Sequence, residues 1–222
     1  MGFVRPVLQE IVYESSINDS DTAWGFSLGV HHEYGTKFSW GAVWRDNPRF
    51  SLISNVLEEI NGQPFFVDEF AVPFVVPDVF GVGMRYRIRP TFSLVLDWQQ
   101  IFYSQIIADG FVIVENLGED TKEDYHIDDT NELHMGFEWL IPGNRSVYAI
   151  RGGYYRNPLH AVTYSGDNLA TADRFSGTGL TDEKHFTFGL GWVFRNRIEF
   201  DISANLWDVG EEVTASFIWR NK

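Results

Sequence analysis

The sequence predicts an all-β protein, an antiparallel up-and-down transmembrane β-barrel, and three observations support this prediction. Bulky apolar residues alternate with glycine or polar residues in segments of about ten residues, the length that a tilted strand needs to cross a bilayer. The connections between these segments alternate between short and long. Aromatic residues make up 16% of the chain and include 8 Trp, as expected for girdles at the two membrane interfaces.

The clearest alternation lies in residues 185–194. One strand face carries the large apolar side chains of Phe186, Phe188, Leu190, Trp192 and Phe194. The other face carries His185, Thr187, Gly189, Gly191 and Val193. A period of two is strand geometry. In a soluble sandwich these aromatic residues would need matching bulk from an opposing sheet, whereas a barrel in lipid places them on its outside.

The same alternation recurs along the chain and predicts about nine strands, with a possible tenth within residues 3–13. The segments are 24–31, 38–45, 80–88, 93–99, 133–141, 148–154, 185–194, 198–206 and 213–219. Short turns are predicted at 35–36, 89–90, 142–145 and 195–197. Long connections are predicted at 46–77, 104–130 and 157–182, with a shorter one near 208–212. Barrels place tight turns on the periplasmic rim, so the short turns are expected there.

Charge follows the same division between the two ends of the strands. The short turns hold Lys37, Arg89, Arg145, Arg195 and Arg197. The connection at 107–130 is strongly acidic and contributes to the formal net charge of -14, either as a solvated loop or as a cation site. This net charge argues against nucleic acid as a partner. The absence of Cys fits an exported chain without disulfides.

The start of the sequence lacks an export signal. Residues 1–20 do not show a basic start followed by an apolar core, and an outer-membrane protein must be exported. We therefore expect that Met1 is not the natural start, and that residues 1–222 form a single, N-terminally truncated outer-membrane barrel domain.

Four stretches resemble the C-terminal portion of the long-chain fatty acid transporter (FadL/TodX) family of outer-membrane proteins. They read DTAWGFSLGVHHEYGTKFSWGAVWRDNPRFSL, VPDVFGVGMRYRIRPTFSLVLDWQQIFYS, IDDTNELHMGFEWLIPGNRSVYAIRGGYYRNPLHAVTYSGDN and HFTFGLGWVFRNRIEFDISANL. Within them, Pro77-Asp78, Asp97-Trp98, the strand start Glu132-Leu133-His134 and Arg151 to Tyr155 before Asn157-Pro158 carry the likeness. The order and spacing of these motifs are more specific than any one of them.

The resemblance implies a barrel of roughly fourteen strands in the bacterial outer membrane, multi-pass, plugged by an N-terminal hatch and surrounded by outer-membrane lipids. It implies uptake of long-chain fatty acids or other hydrophobic compounds, with no enzyme activity and no cofactor, by a protein that is monomeric when full length. Two departures stand out. The hatch and the early strands have no counterpart here, and the chain ends in Trp219-Arg220-Asn221-Lys222 rather than in an aromatic residue.

Two groups of residues are candidates for ligand binding. The connection from Leu52 to Pro77 is more apolar than a water-exposed loop should be. It is either a capture site at the outer rim or a lid packed into the barrel mouth, and its aromatic candidates are Phe65, Phe66, Phe70 and Phe74. Arginines predicted to face the lumen could hold a carboxylate or pair with acids such as Asp97 and Glu138. These arginines are Arg85, Arg87 and Arg151.

Enzymes, metal sites, soluble binding domains and porins would each show other sequence features. Four side chains that could serve catalysis or metal binding are predicted to point inward: His31, Glu33, His134 and His185. No motif places a Ser beside a His with a third orienting group, and adjacent strand positions divide ligands between two faces, so neither an enzyme nor a metal site is predicted. A soluble all-β ligand-binding domain of lectin-like type and a general porin remain the alternatives.

Overall fold

The structure, a computed structural model, describes residues 11–60, 63–110, 121–175 and 181–220. The strands are β1 (Ile11–Ile17), β2 (Phe26–Tyr34), β3 (Phe38–Asp46), β4 (Arg49–Ile60), β5 (Gln63–Val75), β6 (Val79–Arg89), β7 (Phe92–Ile101), β8 (Tyr125–His126), β9 (Thr130–Pro142), β10 (Ser146–Asn157), β11 (Thr163–Tyr164), β12 (Glu183–Phe194), β13 (Ile198–Trp207) and β14 (Gly210–Trp219). The helices are α1 (Ser104–Gly110), α2 (Leu169–Arg174) and a 3-10 turn at Lys122–Asp124. Within the described ranges, no helix is long and apolar enough to cross a membrane.

Nine strands form the main sheet, in the order β14-β13-β12-β10-β9-β7-β6-β3-β2. Every neighbouring pair is antiparallel, and spatial order follows chain order. The predicted fold class, an antiparallel up-and-down β architecture, is confirmed. Over the described residues the sheet is open, with β2 and β14 as its edges.

The two faces of the main sheet differ as the alternation predicts. The apolar face carries large side chains that remain exposed, such as Phe188 at 57%, Leu190 at 59% and Phe217 at 65%. The polar face carries glycines and polar or charged residues. Among the described residues the buried hydrophobic set contains only Val75, Ile127 and Ala149. Within the part of the chain that the structure describes, the main sheet therefore shows no packed hydrophobic core.

Tight turns join the strands at one end, which we call the short-turn rim. Gly35 takes a positive φ of 61° in the β2–β3 turn, and Arg195 and Asn196 take 50° and 54° between β12 and β13. Two consecutive residues with positive φ match the right-handed twist of the strands that the turn joins. At the opposite end, the long-connection rim, the β13–β14 turn contains only residues 208–209 and is shorter than the predicted 208–212.

The predicted loop at 46–77 is instead a β-hairpin. β4 and β5 pair antiparallel along their length, with a register shift between Glu58 and Glu59, and β1 pairs with β4 in the same three-stranded sheet. Of the possible tenth strand within residues 3–13, only residues 11–13 are described, and they belong to β1 of this second sheet. Residues 3–10 lie outside the described part, so that strand stays a prediction. Pairing satisfies backbone groups that an apolar connection could not leave without partners.

Asp78 joins the hairpin to the main sheet at the long-connection rim. Its side chain is buried and accepts hydrogen bonds from the Asn47 backbone N–H at 2.9 Å and from Gln105 Nε2 at 3.0 Å. Arg49 Nη2 lies 3.8 Å from its Oδ2. Because Asn47, Asp78 and Gln105 belong to three separate connections, one carboxylate fixes the base of β4–β5 and the start of α1 together.

Candidate functional site

An ion-pair network crosses the polar face on β6, β9, β10 and β13. Arg151 donates from Nε to Glu138 Oε2 at 2.9 Å and from Nη1 to Asp201 Oδ1 at 2.6 Å. Arg85 Nη2 donates to Ser93 Oγ at 3.1 Å and to Glu138 Oε1 at 3.4 Å. The two arginines thus share Glu138, and with Asp201 the network has as many negative as positive charges. Such a network braces neighbouring strands.

A row of stacked rings lies nearer the long-connection rim of the same face. His134, Tyr155, His185 and Trp207 occupy directly paired positions on β9, β10, β12 and β13. Their ring centroids are 4.9, 4.2 and 5.3 Å apart in that order, with interplanar angles of 4°, 9° and 24°. We call these four residues the ring ladder. Its spacing follows the separation of neighbouring strands, which is about 4.8 Å.

Hydrogen bonds fix the orientation of the ladder's rings. His134 Nε2 lies 3.1 Å from Glu132 Oε2, and His185 Nε2 lies 3.3 Å from Glu183 Oε2. Asn205 completes the set, with Oδ1 3.2 Å from His185 Nδ1 and Nδ2 donating to Tyr155 Oη at 3.2 Å. Each histidine therefore has a glutamate two residues earlier on the same strand and face. Hydrogen bonds thus hold three of the four rings, with His185 held at both nitrogens, and this pre-organises them for contact with a ligand.

Two large cavities lie over the polar face. One, of about 560 Å³, lies over β3, β6 and β7, and we call it the glycine cleft because its floor is formed by Gly41, Gly81 and Gly83. The other, of about 690 Å³, lies over the ion-pair network. His134 and Asp97 line both cavities. Volumes of this size are typical of small-molecule sites.

The three predicted arginines lie in two different places on the polar face. Arg85 and Arg151 pair with Glu138, one of the two acids expected, whereas Asp97 has no hydrogen-bond or ion-pair partner among the described residues. Asp201 was not expected from the sequence as the second acid. Arg87 lies at the short-turn rim, where its Nη1 donates to the Thr36 carbonyl oxygen at 2.8 Å.

The predicted aromatic residues of the 52–77 connection lie on the three-stranded sheet, apart from these arginines. Phe70 is half-buried. Phe74 is 57% exposed and its ring lies 6.3 Å from that of Phe50. Phe65 and Phe66 belong to β5, but their side chains lie outside the described part. The two groups of candidates are thus on separate sheets, so a single site containing both stays a prediction.

Structured loops cover the long-connection rim. Tyr103 stacks on His160 with centroids 4.6 Å apart and an interplanar angle of 10°. Burial raises the pKa of Tyr103, and the negative charge of Glu132 raises it further. On the neighbouring connection, the Leu159 backbone N–H donates to Asp182 at 2.8 Å, and Arg156 also donates to this carboxylate. These two contacts lower the pKa of Asp182.

Two further features bear on the other functional classes. Among the described residues, no group of three or more His, Cys, Asp or Glu side chains is placed to hold a metal ion. His31, expected to point inward, lines the glycine cleft, and Glu33 lies near the short-turn rim in a smaller cavity beside Arg87.

Comparison with known proteins supports the fold. No protein-family model matches the chain, and no curated protein matches it. Among solved structures, the chain is similar to the "CymD monoaromatic hydrocarbon channel", with a TM-score of 0.50 and 15% sequence identity over 88% of this chain and 49% of that chain. The chain thus spans about half the length of that channel. At this identity the likeness concerns the fold alone, and it agrees with the antiparallel meander of the nine-stranded sheet.

Proposed function

We propose that the protein is a bacterial outer-membrane β-barrel protein for the uptake of hydrophobic compounds, long-chain fatty acids or others. The polar face lines the passage, the apolar face meets outer-membrane lipids, and the short turns face the periplasm. The protein needs no cofactor and performs no catalysis in this role. It works as a monomer when its barrel is complete.

The apolar face is the observation that carries this proposal. Its aromatic and aliphatic side chains are exposed on all nine strands of the main sheet, whereas soluble monomers rarely expose a contiguous apolar patch larger than a few hundred Å². The soluble lectin-like alternative needs this face to be a covered core, and within the described residues nothing covers it. Lipid is the environment in which such a face is stable.

The apolar face also has a groove whose shape suits lipid chains. A groove of about 630 Å³ lies on it around Gly152, lined by side chains including Met84, Leu94, Met135 and Phe186. A Cβ at position 152 would lie 2.6 Å from Cε1 of Phe137, so glycine leaves room for that ring beside the groove. Acyl chains of the surrounding lipids fit an apolar surface of this shape.

The charged side chains of the polar face favour uncharged cargo over fatty acids. A fatty-acid carboxylate could bind Arg85 or Arg151, but it would have to compete with Glu138 and Asp201, which already pair with them. Uncharged hydrophobic compounds meet no such competition. That the similar structure is a channel named for monoaromatic hydrocarbons supports cargo of this broader kind. The β4–β5 hairpin, with Phe70 and Phe74, serves as the capture surface at the outer rim.

A general porin is the second candidate, because opposed charges line its lumen and the Arg85, Glu138, Arg151 and Asp201 network provides such charges here. Uptake by intact cells separates the two. Deleting the gene from its own bacterium should lower the initial rates of labelled oleate and toluene uptake and leave labelled disaccharide uptake unchanged, and restoring the gene should reverse the loss. A loss confined to the disaccharide would contradict the proposal and support the porin.

A further inference from the structure

The ring ladder stops at His134, although the row of paired residues that contains it continues across the sheet. On the polar face, His134 pairs with Asp97 of β7, Asp97 with Gly83 of β6, and Gly83 with Gly41 of β3. Three successive strands beyond His134 thus contribute no ring. One face of the His134 imidazole stacks on Tyr155, and the other is turned toward the glycine cleft, which His134 lines.

The glycines keep this space open. A Cβ at position 83 would lie 2.1 Å from Asp97 Oδ1, and a Cβ at position 41 would lie 3.2 Å from the Val30 carbonyl oxygen. Any side chain at position 83 would therefore displace the Asp97 carboxylate from its place over the cleft floor. The cleft volume of about 560 Å³ accommodates a monocyclic compound at the spacing of the existing rings.

Asp97 supplies a polar anchor at the same point. Its carboxylate is exposed and has no hydrogen-bond or ion-pair partner among the described residues. A carboxylate only accepts hydrogen bonds when ionised, so it selects a ligand that donates one. The neighbouring cation Arg85 is already occupied by Ser93 and Glu138, whereas Arg45 lies farther along β3 toward the long-connection rim.

We propose that the glycine cleft binds a planar, monocyclic aromatic compound that carries an O–H or N–H donor, with its ring stacked on the free face of His134 and its donor on Asp97. The ligand extends the ladder by one rung. This inference rests on the proposed function in that the cleft lies along the passage, and it narrows the cargo to phenol-like or aniline-like compounds. Aliphatic chains lack the flat face, and aromatic carboxylates would be repelled by Asp97.

Calorimetric titration of the protein in detergent micelles with phenol, toluene and benzoate tests the proposal. Phenol should bind most tightly. Asp97→Ala should weaken phenol binding about tenfold, the effect of one hydrogen bond to a charged acceptor, and leave toluene binding unchanged. Ser203→Ala, on the same face but outside the glycine cleft, is the matched control and should change neither. Equal affinities for phenol and toluene that Asp97→Ala does not alter would overturn the proposal.

Proton NMR of the histidine Hε1 signals provides a readout that is specific to stacking. Phenol should shift the His134 signal upfield by its ring current, and Gly83→Val, which closes the cleft, should abolish the shift. A shift confined to another histidine would overturn the assignment. The proposed function can fail separately: phenol binding with unchanged cellular uptake would contradict uptake alone, whereas uptake without phenol selectivity would contradict this site alone.

Discussion

The two faces of the nine-stranded sheet share one backbone and have opposite chemistry. On β12, Phe186, Phe188 and Leu190 are at least 50% exposed, whereas His185 between Lys184 and Phe186 is only 6% exposed. The apolar side chains are thus exposed, whereas a polar ring is buried. In a soluble protein the burial would be reversed. The apolar face thus lacks contacts that cover its large side chains among the described residues, whereas the polar face is organised by contacts within the protein. If the proposed function holds, the apolar face meets lipid.

A charge placed on either face of one strand should show the largest difference between the two faces. Leu190→Lys should lower the free energy of unfolding in lipid vesicles by about 2–4 kcal/mol, because a cation on the lipid face near mid-membrane has no water. Thr187→Lys, on the polar face of the same strand, should cost less than about 1 kcal/mol. Urea titration followed by Trp fluorescence measures both. Equal losses would show that the faces do not differ in environment.

Asp78 represents a third environment, a buried carboxylate at the rim rather than on either face. Asp78→Ala should destabilise the protein by about 2 kcal/mol, since it leaves the Asn47 N–H and the Gln105 side chain without their charged acceptor. The loss should be local, with faster amide hydrogen exchange at Asn47 and at the start of α1 and little change in β12. Uniformly faster amide exchange across the sheet would contradict a role of Asp78 in joining the hairpin to the main sheet.

A substitution in the ion-pair network tests how far water reaches the polar face. Glu138→Gln removes the carboxylate shared by Arg85 and Arg151. Because both arginine side chains are more than 40% exposed, the expected loss is only about 1 kcal/mol, smaller in high salt. Glu211→Gln, at an exposed position beside the β13–β14 turn, is the control and should be neutral. A loss of stability several times larger would mean that the network is shielded from water.

The smallest expected effect is a pH response at the long-connection rim. The folded pKa of Asp182 is lowered by the Leu159 N–H and Arg156, so its contribution to stability is present above the unfolded pKa of about 4 and is lost as the pH falls through the folded value. The Leu159 amide proton should move to a weaker hydrogen-bonded shift as the solution is acidified below pH 4. In Asp182→Asn this transition should be absent; if it persists there, another group is responsible.

Much of the sheet follows from the sequence because its two faces alternate so strictly. The register across a tight turn also follows: counting back from the β9–β10 turn places His134 opposite Tyr155, and counting back from the β12–β13 turn places His185 opposite Trp207. The pairing of Tyr155 with His185 spans the long connection, whose length fixes no register. The complete ladder was therefore beyond sequence reasoning.

The β4–β5 hairpin was missed for a related reason. Its apolar residues Phe65, Phe66 and Val67 run consecutively, and a consecutive run does not show the alternation that identifies a half-exposed strand. Asp201 was missed as a partner of Arg151 because the two lie on strands that are not neighbours, with Gly189 and Gly191 of β12 between them. Long arginine side chains reach across glycine positions that alternation alone does not connect.

Site-directed spin labelling along β12 in lipid vesicles measures which face of the sheet meets lipid, and the chain has no native Cys to interfere. Single Cys variants from Lys184 to Phe194 would be labelled and their collision rates with oxygen and with a water-soluble nickel chelate measured. We expect a period of two, with high oxygen access at positions 186, 188, 190 and 192 and high nickel access at the positions between. Nickel access at every position, with no alternation, would contradict a sheet whose apolar face meets lipid.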